Sequence, residues 1–161
     1  MQKRNIILTK ATLADLEAIL ALQRLAYQSE ARIYEDFDIQ PLRQTLEELR
    51  QECARSLVFK AIDEAGELVG SVRAYAENDT TYINKLIVSP EHQNQGLGKR
   101  LLEAAENAFS SHRFELHTGH NSMKNLALFE RCGYVRFKEE AGRPTLRLVY
   151  LEKWLERTPT I

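Results

Sequence analysis

The sequence is poor in cysteine, with only Cys53 and Cys132 in 161 residues. Both fall in helix-like patterns without metal-ligand neighbours at short spacing, so they read as core thiols and no resident metal is expected. Long apolar runs are also missing. The basic start, residues 1–9, holds only the consecutive apolar residues Ile6, Ile7 and Leu8, too few for a signal-peptide core. No run approaches the ~20 apolar residues of a membrane span. Nor is there an excess of one charge: the net charge is -1 and the pI about 6.4, which gives no general field for nucleic acid, so any anion site must be local. Repeats, low-complexity tracts and linkers are absent as well. What remains predicts a single cytoplasmic domain over residues 1–161 with no nucleic-acid or membrane partner. Its 43% hydrophobic and 28% charged residues are ordinary for a chain that buries a sizeable core.

Hydrophobic periodicity divides the chain into short elements. Residues 5–9 form a strand candidate, and Thr12 then caps a helix whose stripe is Leu13, Leu16, Leu20 and Tyr27. A polar and aromatic stretch covers residues 28–40. Pro41 at a first helical position predicts a second helix carrying Leu42, Leu46, Leu49 and Cys53. Residues 57–63, 67–76 and 80–88 are strand-like and separated by short turns at Asp63-Glu64-Ala65-Gly66 and Glu77-Asn78-Asp79, which predicts an antiparallel meander. A third helix presents Leu101, Leu102, Ala105, Ala108 and Phe109 on one face. Residues 114–118 follow as a strand, residues 122–132 as a helix stopped by Gly133, and residues 134–140 and 146–154 as a closing hairpin around Ala141-Gly142-Arg143-Pro144. The last strand could pair in a homodimer.

The stretch that carries chemistry runs from Leu86-Ile87-Val88 through Ser89-Pro90 to Gln93-Asn94-Gln95-Gly96-Leu97-Gly98-Lys99. It reads as a buried strand, a proline-marked exit and a polar loop closing on glycines at a helix start. Glycine there lets backbone N–H groups approach a ligand, and the unpaired donors of the first turn together with the helix dipole favour an anion. Lys99 and Arg100 add positive charge where a helix built for stability alone would carry Asp or Glu. A P-loop is excluded because Lys99 is followed by Arg100 and no glycine precedes Gly96 at the required spacing. A dinucleotide fingerprint is excluded because Leu101 holds its third glycine position.

Instead, Gln93-x-x-Gly96-x-Gly98 directly after Val88-x-Pro90 resembles the acetyl-CoA signature of the GNAT superfamily of N-acetyltransferases. A second match lies downstream: Leu116-x-Thr118, then Asn125-Leu126-Ala127-Leu128-Phe129-Glu130-Arg131-Cys132-Gly133-Tyr134, resembles that family's strand-helix segment. The element order β-α-α-β-β-β-α-β-α-β-β is also the family's. The resemblance implies an α/β (α+β) GNAT-like fold, a mixed, mostly antiparallel sheet of about seven strands flanked by four helices. It implies acetyl-CoA as cosubstrate, with the pyrophosphate wrapped by Gln93, Asn94, Gln95, Gly96, Leu97, Gly98 and Lys99. It also implies pantetheine pairing with the main chain of Leu86, Ile87 and Val88, with Asn125 and Phe129 on the strand-helix side.

Acetyl transfer to an amine also needs polarisation of the thioester, a base for the amine and a proton for the sulfur. A main-chain amide at Leu86 would face the thioester carbonyl. Many family members place a carboxylate on the strand before the loop, but Thr81-Tyr82-Ile83-Asn84-Lys85 has none. The base candidates are therefore His117, His120, Tyr82 or a carboxylate from residues 28–40, each of which is also open to a purely structural reading; His92 reads as a phosphate neighbour. The family's usual tyrosine acid is replaced by Phe129, which leaves Tyr134, water or departure as thiolate. Residues 28–40 form the expected acceptor wall, with Tyr27, Glu30, Tyr34 and Asp38 as substrate-binding candidates; their carboxylates and rings suit a small or lysine-like amine, free or peptide-borne. Two rival functions stay open: a CoA-binding sensor without turnover, and a phosphate-binding module.

Overall fold

The computed structural model describes residues 5–155. One seven-stranded sheet has the order β1-β2-β3-β4-β5-β7-β6, formed by β1 (Ile7–Lys10), β2 (Leu57–Ile62), β3 (Leu68–Glu77), β4 (Thr80–Val88), β5 (Arg113–Gly119), β6 (Val135–Arg143) and β7 (Leu146–Trp154). All its pairs are antiparallel except β4 with β5. The meander of β2, β3 and β4 forms as the periodicity requires. Gly66 takes φ 81° in the first turn, and Asn78 and Asp79, at φ 50° and 63°, make a two-residue hairpin between β3 and β4. β7 lies between β5 and β6, so the sheet edge open to another chain on this side is β6, exposed along nearly its whole length.

The helices differ from expectation in two places. α1 (Leu16–Tyr34) follows a short 3-10 turn and continues well past Tyr27, so half of the expected acceptor loop is helix; it stops where Glu35 turns left-handed at φ 51°. The single helix expected from Pro41 is two. α2 (Gln40–Arg43) is one turn opened by Pro41, Gln44 then leaves helical geometry at ψ 130°, and α3 (Leu46–Cys53) starts afresh on the reciprocal cap of Thr45 and Glu48. With α4 (Leu97–Glu106) and α5 (Met123–Arg131) the described residues hold five α-helices. α5 ends on Gly133 at φ 96°, where Tyr134 N–H bonds Phe129 O (3.0 Å) and Gly133 N–H bonds Glu130 O (3.1 Å), the paired bonds of a left-handed helix stop.

The main core packs α4 and α5 against the sheet through Leu97, Leu101, Leu102, Leu126 and Phe129 onto Val72, Ile83, Phe114, Leu116 and Leu151. α1 and α3 build a second cluster from Leu16, Ile19, Leu20 and Leu49 with Val58. Burial of such side chains is worth about 1.5–3 kcal/mol each. Among the described residues no helix is long and apolar enough to cross a membrane.

Candidate active site

β4 and β5 pair only at Thr80–Arg113, Thr81–Phe114 and Tyr82–Glu115. Beyond Tyr82, β4 stays with β3 while β5 follows β7 along its full length, and the sheet opens into a cleft. β4 is bent there by a bulge. Its register with β3 jumps from Asn84–Arg73 to Ile87–Ser71, and Lys85 sits at φ 52°, a left-handed conformation that a side chain adopts at a cost and that clusters at functional sites. Ser89 N–H donates to Val69 O (2.8 Å) and Ile87 registers with Ser71, so both face β3. Strand alternation then turns the main-chain groups of Leu86 and Val88 into the cleft. Gln93 caps this edge by donating from its side chain to Val88 O (3.4 Å).

The loop after β4 is exposed at Gln93, Asn94, Gln95, Gly96 and Lys99. Gly96, the N-cap of α4, has φ 80° and open space where a side chain would stand, and the first turn holds no acid. Leu97 and Leu101 anchor the helix start in the core, while Gly98 runs so close to α5 that an added Cβ would lie 3.2 Å from Leu128. Arg100 is not a ligand candidate, because its side chain bonds Ile6 O (2.9 Å). His92 is buried, 3.9 Å from Asp63. An open strand edge beside a glycine-capped helix start, with donors unengaged by acids, fits a pyrophosphate and its extended arm.

At the mouth of the cleft is a cavity of about 370 Å³. Tyr27, Glu30 and Tyr34 of α1 line it, as do Lys85, His117, Thr118, Gly119 and Asn125, with Arg43 and Arg143 at its rim. A directed chain of hydrogen bonds shapes one wall. Asn121 N–H donates to the Tyr34 hydroxyl (3.0 Å), which bonds Ser122 Oγ (2.7 Å), which donates to Glu30 Oε2 (2.5 Å). Burial pushes the Glu30 carboxyl above its usual range, and the Ser122 bond opposes that shift. Gly119 is required by this wall: a Cβ there would lie 1.9 Å from the Tyr34 hydroxyl oxygen. Burial, then Glu30, push the Tyr27 hydroxyl up, so it stays protonated.

His117 lines the cavity and remains partly open to solvent, with Tyr150 at 5.2 Å between centroids. Burial first, then the Lys85 charge, hold its pKa below the ordinary histidine value, against the pull of Glu115 and Glu140. It is therefore neutral at pH 7 and able to take a proton. Burial lowers Lys85 as well, with Arg73 adding to the effect and Glu52 opposing it. Asn125 donates to Thr118 Oγ1 (3.2 Å), linking α5 to β5 at the cavity floor.

Other candidates are placed elsewhere. Tyr82 stacks on Tyr75 (5.1 Å between centroids) outside the cavity lining. His120 Nδ1 accepts from Arg147 N–H (3.0 Å) and ties β5 to β7. Tyr134 donates to Glu106 (2.7 Å) in the core, and burial with that bond pushes its hydroxyl up, so it is unsuited to protonate sulfur. Phe129 is 4% exposed and packs against Tyr134. Asp38 is at the surface, paired with Arg43 (3.6 Å) and Arg143 (3.7 Å). Sequence reading missed Lys85, Ser122, Gly119 and Arg143. Lys85 owes its place to the bulge in β4, and the others arrive from segments whose convergence only the fold shows.

The profile of the acetyltransferase (GNAT) family matches residues 16–134. Among solved structures, the chain is similar to the PaiA N-acetyltransferase of Thermoplasma acidophilum in complex with coenzyme A, at 19% identity and a TM-score of 0.74 over 93% of this chain and 99% of that one. It is similar to the ribosomal-protein-S18-alanine N-acetyltransferase of Escherichia coli, at 15% identity and a TM-score of 0.77 over 96% and 97% of the two chains. It also resembles the spermidine N-acetyltransferase of Vibrio cholerae in complex with CoA and spermine, at 20% identity and a TM-score of 0.68 over 92% and 95%. The chain belongs to the GNAT acetyltransferase family and is an acyltransferase built on a fold that binds CoA.

Proposed function

We propose that the protein transfers the acetyl group of acetyl-CoA to a primary amine by direct attack within a ternary complex. The observation that carries this is the single cleft in which a free strand edge, a glycine-capped helix start and a neutral histidine meet. Acetyl-CoA supplies the activated acyl group. Gly96, Leu97, Gly98 and Lys99 would hold its pyrophosphate, and the main chain of Leu86 and Val88 would hold its extended arm. The Leu86 amide would meet the negative charge that grows on the carbonyl oxygen, a contribution typically worth about 3–4 kcal/mol of barrier.

An ammonium has no lone pair, so the acceptor must lose a proton before it attacks. His117, neutral and facing the cavity, takes that proton, while Glu30 draws the cation in. Asn125 and Thr118 fix the floor beneath the reacting groups. Phe129 carries no hydroxyl to donate and Tyr134 is bonded to Glu106, so the thiol leaves as thiolate or is protonated by water. The test is release of free CoA from acetyl-CoA with amino acids, polyamines, aminoglycosides and N-terminal peptides, alongside thermal shifts with CoA and with ATP. Amine-dependent release together with CoA-specific stabilisation is expected. Stabilisation without turnover on any amine would replace the enzyme reading by a CoA sensor.

A further inference from the structure

The charges around the acceptor cavity are unevenly matched. Arg43 pairs with Asp38 at 3.6 Å, and Arg143 pairs with Asp36 and, at 3.7 Å, with Asp38. Asp36 and Asp38, after the end of α1, are thus already paired with arginines from α2 and β6. Lys85 is different. Among the described residues it has no hydrogen bond and no ion pair, and the acid that acts on it, Glu52, is engaged by Gln44 (2.6 Å) and by the fully buried Arg73 (3.4 Å). Glu30 is its counterpart, a carboxylate in the same cavity whose hydrogen bond comes from a hydroxyl and which has no ion pair among the described residues. A half-buried charge without a counter-ion has lost hydration that a ligand of opposite sign restores. The bulge at Lys85, held at φ 52°, keeps that lysine in the cavity wall.

We propose that the acceptor is a small amine that also carries a carboxylate, an amino acid or a close analogue, with Lys85 holding the carboxylate and Glu30 receiving the ammonium end. The proposal rests on the acetyltransferase reading above and narrows its acceptor. A polyamine would set a second ammonium against the uncompensated Lys85. The size agrees: a cavity of about 370 Å³ lies at the low end of small-molecule sites, ~300–1,000 Å³.

The experiment compares matched acceptors at saturating acetyl-CoA: α-, β- and γ-amino acids, each against its carboxamide and its decarboxylated amine, with spermidine as the polycation. The carboxylated member of each productive set should have kcat/KM about tenfold to a hundredfold higher, the range of one charge-assisted bond. Lys85→Met should collapse that ratio to about twofold, Lys85→Arg should keep part of it, and Lys85→Glu should invert it. Each variant is first shown to be folded by its melting curve. The CoA-loaded protein is also titrated with N-acetyl amino acids and their amides, so that the preference is read by binding as well as turnover. Tighter binding of the carboxylate form without turnover would support this assignment while ending the enzymatic one. Equal kcat/KM for carboxylated and neutral acceptors, a preference for spermidine, or a ratio unchanged by Lys85→Met would overturn it.

Discussion

The two halves of the cleft are built by different means. On the proposed reading the CoA half is a continuous segment, from β4 through the loop to α4, and it would work with main-chain groups: the free edge of Leu86 and Val88 and the turn at Gly96. The acceptor half is assembled from side chains of α1, α2, β4, β5, α5 and the β6–β7 hairpin. Main-chain recognition constrains a short local pattern, because glycine spacing and a helix start make it. Side-chain recognition constrains only where distant segments meet, so its residues are free to change with the acceptor.

That contrast can be broken by substitutions that act on one half only. The largest effect is expected for His117→Gln, which should lower kcat about hundredfold or more while CoA affinity stays within about twofold by titration. Equal loss of CoA affinity would move His117 out of the acceptor half. Gly119→Ala comes next, since its Cβ collides with Tyr34 and breaks the bond chain to Glu30. We expect a loss of about 1–3 kcal/mol in stability, measured by denaturant unfolding, and an acceptor KM raised more than the Kd for CoA. On the other side, Gly96→Val places a β-branched residue at φ 80° and should weaken CoA about tenfold with acceptor KM little changed, at a conformational cost of ~1–2 kcal/mol.

Smaller effects sharpen the comparison. With His117 as the proposed base, activity would require its neutral form, so kcat/KM should rise with pH through its pKa and then level, until the free amine's own titration enters at higher pH. Because burial and Lys85 hold that pKa down, the lower inflection belongs below the ordinary value of ~6.5. Lys85→Met should move it up in pH and Glu140→Gln should move it further down, as a pH series with one acceptor will show. The smallest effect is expected for Phe129→Tyr. It adds a hydroxyl at a buried ring and should leave CoA affinity nearly unchanged; a tenfold loss by titration would show that the ring contacts the cofactor arm directly.

Much of this was legible in the sequence because local signals agreed with the global arrangement. Gly66, Asn78-Asp79 and Gly133 occupy the turns their conformations require, and the order of strands and helices followed from period and punctuation. The split between α2 and α3 was hidden because Leu42, Leu46, Leu49 and Cys53 keep a helical period across the break at Gln44, and the cap of Thr45 with Glu48 lies inside it. The end of α1 was misplaced for a related reason: polar residues after Tyr27 are compatible with a helix whose face lines a cavity. Asp38 looked like an acceptor ligand because its partners, Arg43 and Arg143, join it only through folding. Lys85 depends on a bulge that no residue type announces.

The central claim, that CoA is held by main chain along one wall and the acceptor by side chains along the other, is tested most directly by amide hydrogen exchange with and without CoA. The account predicts slowed exchange at the amides of Leu86 and Val88 and at those of residues 96–99, with Ile87 and Ser89, already bonded to β3, unchanged and residues 27–43 unaffected. Protection confined to residues 27–43, with the Leu86, Val88 and Gly96 amides exchanging as in the free protein, would contradict it.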